Sequence, residues 1–250
     1  MSEAAPAADA LLGGALRLIQ PVNGHRAGTD AVLLAGAFGA VRGRIADLGS
    51  STGFIALALA LREPSAQAVL IDRDAEMLEL ARRNIALNGL GARVSAAHAD
   101  IFDSASRAAA ALTPGSFDFV LTNPPYFAKD SGRASPDAGR AGAHVMAGGD
   151  LAQWIRQGAA LLRPGGRLAL IHRADALKDV LEACAARLGA LVVLPVHPRV
   201  DETASRILVA GTKGSRAPLS IRPGLVLHAA GGGFTPLAEA LHQGAARLDM

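Results

Sequence analysis

The chain predicts an α/β fold, a mostly parallel sheet with helices on both faces, and three observations lead there. Seven short apolar runs recur between residues 45 and 210. Between them lie segments with helical spacing, closed by glycine or proline stops. The runs end in turns carrying Gly, Asp or Asn-Pro, as strand ends do when strands alternate with helices. With 250 residues, of which 50% are hydrophobic, one such domain can bury a large core. The expected organisation is a disordered tail over residues 1–10 and a single domain over 11–250. Within that domain, 11–43 form a lead-in and 211–250 a C-terminal extension.

Taken in order, Leu16-Arg17-Leu18-Ile19 is a candidate strand before a turn at residues 21–24. Thr29 or Asp30 can cap a helix through Ala31-Val32-Leu33-Leu34-Ala35 that ends near Gly39. Ile45-Ala46-Asp47-Leu48 is the first main strand, followed by a glycine-bearing turn at 49–53 and a helix over 54–61. Residues 68–71 form the second strand, ending at Asp72. The spacing of Met77, Leu78, Ala81 and Ile85 predicts an amphipathic helix over 74–88, stopped by Asn88-Gly89. Residues 93–97 form the third strand, ending in His98-Ala99-Asp100, and 117–121 the fourth. A helix over 150–162 stops at Arg163-Pro164-Gly165-Gly166, and 168–171 make the fifth strand. A helix over 175–188 precedes strands at 191–196 and 207–210. Residues 127–149 and 211–224 are read as loops. A 23-residue loop is long enough to expect a binding role.

Two stretches carry chemistry. Asp47-Leu48-Gly49-Ser50-Ser51-Thr52-Gly53 follows a strand and opens a helix, where glycine lets a ligand approach backbone N–H groups. It lacks the Gly-Lys-Ser/Thr ending of a Walker A loop. It also fails the dinucleotide pattern Gly-x-Gly-x-x-Gly, because position 51 is Ser and position 54 is Phe. Asp72, about 20 residues past that turn, ends a strand where an acid commonly takes ribose hydroxyls. The second stretch is Leu121-Thr122-Asn123-Pro124-Pro125-Tyr126-Phe127. Proline halts the strand, leaving an amide, a rigid carbonyl and an aromatic ring together at its carboxyl end. That group can hold a planar –NH2: Asn123 and the Pro124 carbonyl accept its two protons while Tyr126 stacks on the attached ring.

Composition narrows the setting. Cys184 is the only cysteine, which excludes an internal disulfide and any multi-cysteine metal site and fits a reducing compartment. No metal is expected. Net charge is +3, mildly favourable for an anionic partner. The acidic, alanine-rich start has no basic n-region, so no secretory signal is read. No apolar run reaches the ~20 residues of a membrane span. The expectation is a cytoplasmic protein with no membrane partner. Trp154, spaced with Leu151 and Leu161, is read as core.

Asp-x-Gly-x-x-x-Gly at 47–53 resembles the first motif of class I S-adenosylmethionine (SAM) methyltransferases, and Asn-Pro-Pro-Tyr at 123–126 resembles the signature of those acting on planar amino groups. The resemblance implies a Rossmann-like, mostly parallel seven-stranded sheet. It implies SAM as cofactor and S-adenosylhomocysteine as product. Thr29, Asp30, Asp47, Gly49, Ser51, Gly53, Asp72, Asp100, Ile101 and Asn123 would bind the cofactor, with Asp100 facing its adenine and Ile101 flanking the ring. Asn123, Pro124, Pro125 and Tyr126 would form the catalytic group. The family usually has glycine at position 51, and a side chain there forces a less comfortable backbone angle, at a cost on the order of 1 kcal/mol. Arg26-Ala27-Gly28-Thr29-Asp30-Ala31-Val32-Leu33-Leu34, Arg206-Ile207-Leu208-Val209-Ala210-Gly211-Thr212-Lys213-Gly214, Arg222-Pro223-Gly224-Leu225 and Phe234-Thr235-Pro236-Leu237 are similar to segments of tRNA (adenine-N6) methyltransferases that modify valine tRNA. The implied reaction is methyl transfer to an adenine N6 in tRNA. Release factor glutamine N5-methyltransferases share Asn-Pro-Pro-Tyr and are the alternative acceptor class. A methyltransferase fold that only binds RNA is the non-catalytic alternative. Arg133, Arg140 and His144, with Arg199, Arg206, Lys213, Arg216 and Arg222, are the candidate RNA contacts.

Overall fold

The computed structural model describes residues 8–22, 26–125 and 151–250. The chain starts with two short antiparallel strands, β1 (Asp9–Leu11) and β2 (Leu16–Leu18). Asp9 and Ala10 were expected in the disordered tail and instead pair with Leu18 and Arg17. The Asp9 carboxylate also accepts hydrogen bonds from Gln20 Nε2 and the Arg26 guanidinium, which ties this ribbon to the segment leading into the first helix. That helix, α1, is Thr29–Ala35 and stops four residues short of Gly39. Two contacts end it. A Cβ on Gly36 would lie 2.8 Å from Leu241, so the chain runs close against the C-terminal helix there. The chain end also pairs with this stretch, Leu248 N–H donating to Gly36 and Met250 N–H to Ala37.

Five further helix–strand alternations build the main sheet. They comprise β3 (Gly43–Leu48), α2 (Phe54–Arg62), β4 (Ala66–Asp72), α3 (Ala75–Leu87), β5 (Val94–His98), α4 (Ser104–Ala109), β6 (Phe117–Thr122), α5 (Leu151–Leu161), β7 (Leu162–Arg173), α6 (Leu177–Ala185), β8 (Leu188–His197) and β9 (Arg206–Lys213). Two-residue strands β10 (Ser220–Ile221) and β11 (Leu225–Val226) and helix α7 (Pro236–His242) complete the chain. The strand order is β10-β8-β9-β7-β6-β3-β4-β5, with β11 also on β8. The seven long strands are the expected seven. Among the described strands of this sheet, β9 alone runs antiparallel to its neighbours, between β7 and β8. Residues 211–224 are not all loop: Gly211-Thr212-Lys213 extends β9, and β10 pairs beside Val192 and Val193. The fifth strand is longer than 168–171. Leu162 already pairs with Phe117, and the register then shifts so that Phe119 meets Arg167, with Pro164-Gly165-Gly166 in between.

Helices α1, α2 and α3 pack on one face of the sheet, α5 and α6 on the other. Helix α2 buries every residue from Phe54 to Ala60, as a helix apolar all round must. Helix α3 is amphipathic, and its Asp74 cap accepts from Glu76 N–H (2.9 Å) and Met77 N–H (3.1 Å); losing such a cap costs ~1 kcal/mol. On the buried side of α3, Asn84 is fully enclosed. It accepts from Ile19 N–H and donates to the carbonyls of Ile19 and Thr52. A buried amide with every bond made fixes its three partners relative to one another. Through Thr52, α3 therefore holds the turn that follows β3.

Candidate active site

The carboxyl ends of β3, β4, β5 and β6 meet at one edge of the sheet, where open α/β sheets collect ligands. Leu48 pairs with both Ile71 and Thr122, so Gly49 and Asn123 leave neighbouring strands side by side, about 5 Å apart in the pairing direction. The 49–53 turn is docked on the end of β4. Ile71 carbonyl accepts from Gly49 N–H (2.9 Å) and Ser50 N–H (3.1 Å), and Asp72 Oδ2 accepts from Ser51 N–H (2.8 Å). Gly53 needs to be glycine: its φ is +91° and a Cβ would meet Leu70 at 2.2 Å. Ser51 sits at φ +48°, in the left-handed region that disfavours a side chain.

The acids divide. Asp72 and Asp100 are half-buried at the strand ends. Asp72 Oδ1 accepts from Asp74 N–H, and Asp100 Oδ1 from Phe102 N–H (2.9 Å). Each keeps lone pairs for a hydroxyl or an amino group. Asp47, expected to touch cofactor, has no exposed surface. Its Oδ2 accepts from Ala56 N–H in α2 (3.1 Å), while Oδ1 has no partner among the described residues. Burial, with a smaller push from Asp72, raises its pKa from 3.8 to about 7. Asp47 therefore supports the turn from below. Ile101 is likewise buried, in the cluster containing Leu48 and Trp154. The half-buried neighbour Phe102 packs edge-on to Trp154 at 5.8 Å.

Asn123 lines a cleft of ≈ 240 Å³ with Arg26, Gly28, Thr29, Asp30 and Ala31. The lead-in helix and the end of β6 thus face each other. Pro124 is buried and Pro125 half-buried; Tyr126 and the 127–149 loop, with Arg133, Arg140 and His144, lie outside the described residues. Residues that sequence spacing did not single out as site residues hold this wall. Thr122 Oγ1 donates to Leu48 carbonyl (2.8 Å) and accepts from Trp154 Nε1 (2.9 Å), so the residue before Asn123 is locked to β3 and α5. Trp154 also closes under Gly49, whose Cβ would lie 3.2 Å from its ring. Across the cleft, Arg206 Nε donates to Asp30 Oδ2 (3.0 Å), and His242 Nε2 lies 3.2 Å from Thr29 Oγ1. His242 Nδ1 is 2.9 Å from Ala238 carbonyl, which can only accept. Nδ1 therefore donates to that carbonyl, which leaves Nε2 facing the Thr29 hydroxyl. Sequence separations of 176 and 213 residues left these pairs without any local signal.

The described candidate RNA cations do not form one cluster. Arg206 and Lys213 are the two ends of β9, about 23 Å apart at the rise of a strand. Lys213 Nζ donates to Leu162 carbonyl (2.6 Å) at the far edge of the sheet, and Arg216 follows it there. Arg199 and Arg206 flank the ligand edge, paired with Glu202 and Asp30. Among the described residues no cluster of three or more His, Cys, Asp or Glu could hold a metal, and no helix is long and apolar enough to cross a membrane.

The family profile of the methyltransferase small domain matches residues 27–187. A tRNA1(Val) (adenine(37)-N6)-methyltransferase of Porphyromonas gingivalis is 34% identical over 221 residues, 84% of each chain. One from Aeromonas hydrophila is 32% identical, over 76% of this chain and 77% of its own. A release factor glutamine methyltransferase of Xylella fastidiosa is 36% identical over only 53% of this chain and 47% of its own. The crystal structure of a predicted O-methyltransferase from Agrobacterium tumefaciens superposes with TM-score 0.73 at 35% identity, covering 87% of this chain and 97% of that one. A geranyl diphosphate methyltransferase solved with SAM shares the fold at TM-score 0.53 and 14% identity, covering 73% and 84%.

Proposed function

The chain belongs to the methyltransferase small-domain family, and we propose that it moves the methyl of SAM to the N6 amino group of an adenine in tRNA. The observation that carries this reading is the position of Asn123. It leaves β6 beside the 49–53 turn and lines the cleft opposite Thr29 and Asp30. SAM supplies a methyl group on a positively charged sulfur. The residues present fit it. Asp72 and Asp100 offer half-buried carboxylates at strand ends for ribose hydroxyls and an amino group, and Ser50 Oγ, in the turn docked on β4, is a buried polar atom without a partner among the described residues. Asn123 Oδ1 and the Pro124 carbonyl accept the two protons of the substrate amine. This draws its lone pair out of conjugation and toward the methyl. Holding acceptor and donor in line supplies much of the rate. No strong base is required, since the amine sheds its proton after it has become cationic.

Two observations favour adenine in tRNA over the other acceptors. The two tRNA methyltransferases align over 76–84% of this chain and 77–84% of their own, whereas the glutamine methyltransferase aligns over about half of each. An amide acceptor followed by a rigid carbonyl suits a nitrogen with two protons; a hydroxyl, the acceptor an O-methyltransferase would need, has only one to give. The relatives' activity, on adenine 37 of tRNA1(Val), supports a valine tRNA as the substrate. The test is methyl transfer from labelled SAM to tRNA from cells lacking this gene, followed by nucleoside analysis. The expected product is labelled N6-methyladenosine in a valine tRNA. Label only in release factor, or on a ribose hydroxyl, would replace the reading.

A further inference from the structure

Three rings from the C-terminal segment stack at the ligand edge. His228 and Phe234 are nearly parallel (16°) with centroids 5.1 Å apart, and Phe234 and His242 (21°) are 4.1 Å apart. The ladder is continuous with the cleft, because His242 contacts Thr29 and Thr29 lines the cleft with Asn123. Each ring is only half-buried. Between His228 and Phe234 runs Ala229-Ala230-Gly231-Gly232-Gly233, and a Cβ added at any of these three glycines would meet nothing within 4 Å. No side chain of that stretch is larger than a methyl, so no bulky group of that stretch covers the half-buried His228 ring. The neighbouring loop adds an Arg199–Glu202 ion pair and an apolar side chain. Pro198 carbonyl accepts from His228 N–H (2.9 Å); next to it stand Arg199, 59% exposed at its side chain, and Val200, 71% exposed.

We infer that this ladder is a stacking surface for an unpaired nucleobase of the RNA next to the target adenine. The inference rests on the proposed tRNA reading. Parallel, half-buried rings beside the exposed Val200 match what single-stranded RNA needs for its bases, π-faces with adjoining apolar surface. The Phe234 and His242 rings stand between His228 and Thr29, so His228 acts on substrate placement and leaves methyl transfer itself untouched.

The experiment uses the full-length protein, wild type, His228→Ala and His228→Phe, with a single-stranded oligoribonucleotide bearing 2-aminopurine beside the target adenine. Stacking quenches 2-aminopurine. Wild type and His228→Phe are expected to quench it and to share one KM for tRNA. In His228→Ala the quench is lost and KM rises roughly 10-fold, with kcat and SAM affinity unchanged. Phe keeps the ring but not the contact of His228 Nδ1 with Gly233 carbonyl, at 3.2 Å. Rescue therefore separates stacking from a structural clip. Unchanged quench and KM in a folded His228→Ala protein, or failure of Phe to restore them, overturns the inference. If wild type binds SAM but methylates no RNA, the tRNA reading itself fails and the inference falls with it.

Discussion

Ser51 occupies backbone at φ +48° in a turn whose other left-handed positions are Gly49 and Gly53. The steric cost of a side chain there is about 1–2 kcal/mol. The more flexible unfolded chain of a glycine variant takes back roughly 0.4–1 kcal/mol. Ser51→Gly should therefore gain about 1 kcal/mol in urea unfolding, and no gain would show that the serine is strain-free. Asp47 makes the opposite kind of demand. Its folded pKa, about 7, lies above the ordinary 3.8 because burial disfavours the charge. Between pH 4 and 7 the folded state thus holds a proton that the unfolded state has lost. Stability from this group is present below about pH 4 and falls as pH rises to 7, by at most about 4 kcal/mol at ~1.4 kcal/mol per unit. Asp47→Asn keeps an acceptor for Ala56 N–H and has no proton to lose. Its melting temperature relative to wild type should climb from pH 4 to pH 7 and then level. Parallel melting curves across that range would mean that Asp47 does not titrate there.

At the scale of elements, the site is a junction of four strand ends and two helices. Trp154 is where α5 meets it: one indole N–H holds the Thr122 hydroxyl, which holds β3. Trp154→Phe removes that donor while keeping most of the packing. A cost of about 1–2 kcal/mol is expected, together with a kcat drop of roughly 10-fold, because small misplacements of a reacting group are expensive. SAM affinity should be unchanged; a variant that lost SAM binding and kept kcat would place Trp154 in the cofactor site instead. These elements were legible where a run of apolar residues met a stop signal, as at 45–48 with its glycine turn or 117–121 with Asn-Pro. Strands β10 and β11 were not, because two residues carry no alternation and Ser220 and Ile221 are exposed. The end of α1 was misplaced for a different reason: residues 248–250 pair with Gly36 and Ala37, and no local pattern announces a partner more than 200 residues away.

For the whole molecule, topology decided what spacing could not. Arg206 and Lys213 look adjacent along the chain, yet the antiparallel course of β9 sends one to the ligand edge and the other to the opposite edge. Asp47 and Asp72 both read as acids at strand ends; only burial separated the supporting one from the open one. The amide and the glycine turn were legible as chemistry, and their adjacency follows from β3 lying beside β6. In the proposed reaction Asn123, at that adjacency, activates the acceptor amine. Single-turnover methyl transfer to tRNA by Asn123→Ala, with SAM affinity measured alongside, tests it most directly. The expected result is a loss of at least ~100-fold in rate, the scale of one positioned hydrogen-bond group, with SAM affinity nearly intact. A variant that methylates tRNA at the wild-type rate would contradict it.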